Sequence, residues 1–446
     1  MKLKSIFLTL LIISFTGYSQ VIFEDNKNLI SSLEKNAFDD LLDKWYPLVI
    51  DNEDGGFYTD ITNDFKIGEH HNKMIVTQTR HIWTNSRAVQ LQPQRTENLK
   101  YATHGYQFLR DVMWDKKNGG FHNLVSKKGI PISAKNEEKT AYGNSYAIYC
   151  LATYYAVSKN EEALDLAKKT FYWLEEHSHD PEYKGYFQNL TIDGTQIIRT
   201  SDIASTSTVG YKDQNNSIHL LEAFTALYEV WKNELVRERL NELLVLIRDT
   251  ITTKKGYMNL FFDTKWNPIS FKKVSEETIK NHYNIDHVSF GHDIETAYLL
   301  LEASHVLGLK NDSITLQKAK KMVDHTLLNG WDNYIGGFYD GGYYFEGTTK
   351  ITIVNDQKNW WAQAEGLNSL LIMDHYFPND KLNYRIYFNK LLAYTQTYLM
   401  DEENGGWYSW GIDKQPQSKT ALKGHIWKAT YHNFRALTNC IEQLKH

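Results

Sequence analysis

The chain has 446 residues, a formal net charge of −5, and a composition of 42% hydrophobic and 23% charged residues. That is enough apolar material to bury a large core in water. The charge balance leaves no basic stripe to neutralise phosphates, which excludes nucleic acid as a partner. Residues 1–20 read as an export signal. Met1-Lys2-Leu3-Lys4 is a basic start, Ile6 to Phe15 an apolar run, and Thr16 to Gln20 a small or polar stretch. The run is too short for a permanent membrane span. The mature chain, residues 21–446, is therefore expected to be periplasmic, with no membrane attachment once the signal is cleaved.

Beyond the signal, one short pattern recurs six times. It appears as Gly55-Gly56-Phe57-Tyr58, Gly119-Gly120-Phe121-His122, Gly185-Tyr186-Phe187-Gln188, Gly256-Tyr257-Met258-Asn259, Gly336-Gly337-Phe338-Tyr339 and Gly405-Gly406-Trp407-Tyr408. The steps between first glycines are 64, 66, 71, 80 and 69 residues. Such a period marks a repeat architecture, and each unit has room for two helices and a turn. Before each pattern an amphipathic helix is predicted, over 33–49, 99–114, 163–177, 236–252, 314–328 and 382–400. These suit an outer ring; Leu240, Leu243, Leu244 and Ile247 show the i, i+3, i+4 spacing.

After each pattern a more uniformly apolar helix is predicted, over 76–91, 142–158, 216–231, 292–307, 360–376 and 426–442. A helix apolar on most faces is buried, so these form an inner ring. The expected fold is an all-α (α/α)6 barrel of twelve helices, one catalytic domain, with short Gly-Gly-aromatic β-hairpin loops. Cys150 and Cys440, the two cysteines, lie in apolar helical patterns and read as buried free thiols, with a disulfide as the alternative.

The polar residues of the inner helices crowd at their N-terminal ends: Arg80, Tyr142, Asn215 with His219, His292 with Glu295, Trp361 with Glu365, and Trp427 with His432. Six parallel helices bring these to one mouth, where helix N-termini favour negative charge. Three histidines at related repeat positions suggest proton transfer near neutral pH. No HExxH or clustered Cys/His spacing is present, so no metal and no other cofactor is expected.

The segments Gly291-His292-Asp293-Ile294-Glu295, Lys358 to Glu365, Tyr431-His432-Asn433-Phe434-Arg435-Ala436, Asn215 to Glu222 and Gln78 to Thr84 resemble blocks of the N-acylglucosamine 2-epimerase superfamily, above all its cellobiose 2-epimerase branch. The resemblance implies that His292 and His432 form a general acid/base pair and that His219 assists ring opening. It implies that Arg80 holds the developing oxyanion, that Trp361 and Trp427 stack on sugar rings, and that Tyr142, Asn215, Glu295 and Glu365 bind hydroxyls or orient a histidine. Asn85, Thr430 and Phe434 depart from the family's usual residues and are expected to flank the cavity. The partner implied is an oligosaccharide or small sugar, bound by a monomer or homodimer. The leading reading is 2-epimerisation of a reducing-end sugar. The alternatives are dehydration of a non-reducing-end uronic acid to an unsaturated uronate, and glycoside hydrolysis using Glu295 and Glu365.

Overall fold

The computed structural model describes residues 26–133, 138–198, 210–281 and 283–445; the export signal read over residues 1–20 lies outside them. Twelve helices alternate in outer–inner pairs. They are α1 (Asn26–Ala37) with α2 (Ile75–Leu91), α3 (Thr96–Phe108) with α4 (Ala141–Ser158), and α5 (Glu161–His177) with α6 (Gln214–Val230). Then come α7 (Glu234–Leu246) with α8 (Phe290–Val306), α9 (Ser313–Gly330) with α10 (Trp360–Tyr376), and α11 (Tyr384–Tyr398) with α12 (Tyr431–Lys445). Each even-numbered helix packs on the next, and α12 packs on α2, which closes the ring. This is the (α/α)6 barrel expected from the repeat.

The two rings differ as their sequences dictate. In α5, Ala163, Leu164, Ala167, Phe171 and Leu174 are buried on one stripe while the charged face stays outside. In α4 and α10 almost every residue is buried, because these helices have neighbours on all sides. Three of the inner helices are started by side-chain caps: Thr140 accepts from the Gly143 N–H, Asp213 from Asn216 and Asn359 from Ala362. Cys150 and Cys440 are buried free thiols.

Each glycine pattern is a tight hairpin closed by one bridge: Ile50 with Phe57, Trp114 with Phe121, His179 with Tyr186, Thr252 with Met258, Trp331 with Phe338, and Met400 with Trp407. In the third unit the register differs by one from the sequence reading. Lys184 takes the left-handed position of the first glycine at φ 66°, so Tyr186, not Phe187, is the counterpart of Phe57.

Five hairpins carry a device that sequence reading missed. The residue after each bridge is an aspartate, and a buried lysine just ahead of the inner helix pairs with it. The pairs are Lys73–Asp51 at 2.8 Å, Lys139–Asp115 at 2.8 Å, Lys212–Asp180 at 2.7 Å, Lys358–Asp332 at 2.8 Å and Lys423–Asp401 at 2.6 Å. The fourth residue of the inner helix often adds a second tie. Gln78, Asn144 and Gln363 each accept the N–H of the hairpin aromatic, and Asp293 does the same for Met258. Hairpin and helix start are thus fixed to one another, and with them the mouth of the barrel.

Several boundaries are corrected. The outer helices of units one, two and four end in π turns at Phe38–Leu42, Leu109–Met113 and Ile247–Ile251. The first outer helix begins at Asn26, ahead of the predicted 33. The last inner helix begins at Tyr431 rather than 426, because His425 and Lys428 close a tight turn that holds Trp427 outside the helix. The long fourth unit adds a short helix, Glu276–Asn281.

Candidate active site

The site is built from two turns of the inner helices. Tyr142, Asn215, His292, Trp361 and His432 occupy the second or third position of their helices. Arg80, Tyr146, His219, Glu295, Glu365 and Arg435 lie one turn deeper. Because the helices are parallel and their starts are level, these become two stacked polar rings around the barrel axis.

Trp361 lies between two histidines. Its ring centroid is 4.7 Å from that of His292 and 5.9 Å from that of His432. The two have unlike partners. His292 Nδ1 is 2.7 Å from the Ser289 hydroxyl, whereas His432 Nδ1 is 2.7 Å from Glu365 Oε1. Burial pushes His292 down to about 3, and burial with Arg80 and Arg435 nearby holds His432 well below the usual histidine range. His219 Nδ1 is 2.9 Å from Glu222 Oε2, and its ring packs against Tyr142 and Tyr146.

Beneath the histidines lies Arg435, a buried hub. It hydrogen-bonds Glu222, Glu295 and Tyr431, and Glu365 Oε1 at 2.6 Å. Burial and the neighbouring Glu365 push Glu295 up to about 7. Burial pushes Glu365 up to about 7 as well, against the pull of Arg435. Burial also opposes ionisation of Glu222, but Arg435 and His219 outweigh it and keep the group below its usual value. One guanidinium therefore neutralises one carboxylate outright and leaves the Glu295–Glu365 pair to hold a proton.

Arg80 has no carboxylate partner among the described residues. Its Nη1 donates to the Trp427 carbonyl at 2.8 Å and its Nη2 to the Tyr146 hydroxyl at 2.9 Å. Buried polar atoms without a hydrogen-bond partner at this site include Arg80 Nε, Asn215 Oδ1 and Arg435 Nε. Trp427 is 41% exposed at the rim. Glu295, Glu365 and His432 also place one ligand atom each within 4.8 Å of one another, a spacing that suits a metal ion. The Arg435 guanidinium already bonds both carboxylates there and supplies their positive charge.

Every residue singled out from sequence lies at this end of the barrel, with Trp427 on a turn rather than a helix. Arg435, Glu222, Tyr146 and Ser289 were not assigned roles from sequence. Arg435 follows His432 by three residues, one helical turn, which is the signal that it shares the histidine's face. The expectation for Asn85, Thr430 and Phe434 is corrected: none flanks the site. Asn85 accepts from Asn98, Thr430 bonds Thr84, and Phe434 packs edge-on against Phe38 of the outer layer.

An (α/α)6 barrel with histidines, carboxylates and an unpaired arginine gathered at one mouth defines a carbohydrate-active barrel enzyme. Residues 56–436 match the family model of N-acylglucosamine 2-epimerase (GlcNAc 2-epimerase), and the chain belongs to that family, whose activity is an isomerisation. It is similar to the cellobiose 2-epimerase of Bacteroides fragilis, 28% identical over 421 residues that cover 93% of this chain and 98% of the relative. The Dictyoglomus turgidum cellobiose 2-epimerase is 27% identical over 428 residues, 94% of this chain and 99% of the relative. Among solved structures, cellobiose 2-epimerase from Spirochaeta thermophila superposes with a TM-score of 0.80 at 28% identity, covering 94% of this chain and 97% of that one.

Proposed function

We propose that this chain epimerises C2 of a reducing-end sugar released from an oligosaccharide, outside the cytoplasm, with His292 and His432 as the proton-transfer pair. The observation that carries this reading is the pair of histidines on either side of Trp361 with unlike partners. Burial keeps both imidazoles neutral, and it is their partners that divide the roles: a hydroxyl at His292, and at His432 a carboxyl that burial keeps protonated to about 7. His292, backed by a hydroxyl, is the neutral base. His432, backed by Glu365, is the acid, because that pair holds a proton near neutral pH.

His219, hydrogen-bonded to Glu222, assists opening of the sugar ring to the aldehyde. His292 then removes the C2 proton, and the electron pair moves through C1 onto the carbonyl oxygen. Arg80, with no carboxylate of its own, meets the negative charge that develops there. His432 returns a proton to the opposite face of C2 from Nε2 while the Glu365 proton passes to Nδ1. Tyr142, Asn215, Trp361 and Trp427 hold the sugar. Glu295 and Glu365 share one Arg435 nitrogen rather than facing each other across a bond, which supports proton transfer over hydrolysis.

The test is proton NMR in deuterium oxide with cellobiose, mannobiose and uronate-capped oligosaccharides, comparing the protein with His292→Ala and His432→Ala. Deuterium at C2 of a gluco/manno mixture, lost in both variants, is the expected result. An olefinic H4 signal on a uronate instead establishes dehydration and overturns epimerisation.

A further inference from the structure

At the opposite end of the inner helices the barrel holds a hollow of about 580 Å³ lined by residues of α8, α10 and α12. Its charged groups are Glu302, His305, Asp374, His375, Arg385 and Glu442, and it opens to solvent beside Tyr376, which is 51% exposed. Tyr298 also lines it. That side chain is 1% exposed, and its hydroxyl faces the Glu365 carboxyl as a hydrogen-bonding neighbour. Its ring lies 5.4 Å from the Arg435 guanidinium. Glu365 in turn holds His432 at 2.7 Å.

We propose that Tyr298 is a positioning residue that connects the rear hollow to the Glu365–His432 pair and provides a second route for protons to the acid of the reaction. The inference rests on the epimerase reading above. Each turnover moves a proton onto His292 and takes one from His432, so the acid has to be recharged before the same reaction repeats. While sugar occupies the front mouth, the rear hollow offers a separate approach that ends on Tyr298. A proton held on Glu302 or on water in the hollow passes to the Tyr298 hydroxyl oxygen as that hydroxyl gives its own proton to Glu365 Oε2. Glu365 then supplies His432 Nδ1. One proton enters and one is delivered to His432, while the proton taken up by His292 passes to solvent at the front mouth when product leaves, so no other bond changes.

Glu302 is solvent-exposed in the hollow and stands one helical turn from Tyr298 on the same helix, so it can take up a proton from water beside the relay. A second cavity, about 160 Å³, shares Glu302 and His305 with the first and is also lined by Glu222, one of the carboxylates that Arg435 bonds.

The test uses the full mature enzyme at saturating cellobiose. Tyr298→Phe keeps the packing and removes the hydroxyl. The expected result is a fall in kcat of about tenfold or more with KM unchanged, a modest part of what proton-transfer groups contribute. Added imidazole, small enough to enter the hollow, restores kcat in proportion to its concentration. Glu302→Gln is expected to behave in the same direction. An unchanged kcat in both variants, or a fall that imidazole does not relieve, overturns the route. If the unmodified enzyme exchanges no C2 proton at all, it is the epimerase reading that fails.

Discussion

At the level of single residues the site is dominated by one cation and three carboxylates. Arg435 bonds Glu222, Glu295 and Glu365 in a fully buried setting. Replacing it with methionine strands that acidic cluster, and removing one partner from a buried ionic group costs about 3–5 kcal/mol. Arg435→Met is therefore expected to lower the urea midpoint markedly and to displace His219 and His432. Arg435→Lys should recover part of the stability but little activity, since an ammonium lacks the planar fork. Denaturation and initial-rate measurements on the two variants check this.

The same cluster sets the pH profile. Glu365 and Glu295, both pushed up to about 7, lose their shared proton as pH rises through that value, and His432 then has no proton to deliver. Because His292 is held at about 3, the base stays neutral throughout the mildly acidic range. kcat should fall on the alkaline side with a midpoint near 7 and hold on the acid side well below the ordinary histidine range. Glu365→Gln should abolish that limb and cut kcat by about 10²–10⁴-fold, measured from pH 5 to 9. An unshifted limb in the variant would assign it to another group.

At the level of elements, the hairpins do the placing. An inner helix delivers its second and sixth residues to the axis only if its start is level with its neighbours', and the lysine–aspartate clamps hold that level. Burial alone would raise the Asp115 carboxyl, but Lys139, Asn118 and two backbone N–H groups outweigh it. Lys139→Met leaves Asp115 buried and unpaired, with an expected loss of about 3–5 kcal/mol. The readout is the melting temperature, together with a KM effect through Tyr142, which starts the helix that Lys139 precedes. The double variant Lys139→Met/Asp115→Leu should recover most of the loss. The fourth hairpin has no such clamp and uses Asp293 where the first, second and fifth units use an amide. Burial holds Asp293 far above the usual carboxylate range, so it is a neutral acid standing in for that amide.

For the molecule as a whole, two populations of buried groups oppose each other. His81 and His292 are pushed down to about 3, and His287, His325 and His425 to about 4, by burial. Their neutral forms favour the fold, so stability is lost as pH falls from 6.5 through those values. Glu295 and Glu365 are raised from 4.5 to about 7 and favour the fold when protonated, so stability is lost as pH rises through that window. Between about 5 and 6.5 the five histidines outweigh the two carboxylates, so stability rises with pH across that range. Below the usual 3.8, the depressed clamp aspartates Asp51, Asp115, Asp180, Asp332 and Asp401 add to the loss. The melting temperature should rise with pH from 5 to 6.5 and fall most steeply below 4. A flat profile from 5 to 6.5 would show that the carboxylates balance the histidines.

The sequence by itself determined the six-unit period, the order of outer and inner helices and the crowding of His219, His292 and His432 at helix starts. Each is a local property: turn glycines, apolar periodicity and residue spacing. The aspartate four residues ahead of Gly55, Gly119, Gly336 and Gly405 was equally legible, but its lysine partner stands 22 to 26 residues away in those units, beyond any local pattern. Only the closed ring decided that Glu365 backs His432 from 67 residues away, and that Arg435 reaches Glu222 across 213. The tertiary structure likewise decided that Asn85, Thr430 and Phe434 turn away from the sugar and that Tyr298 faces a second opening. Spacing along a helix tells which residues share a face. Which faces meet, and which carboxylate is left with a proton, depends on how distant helices share one buried cation.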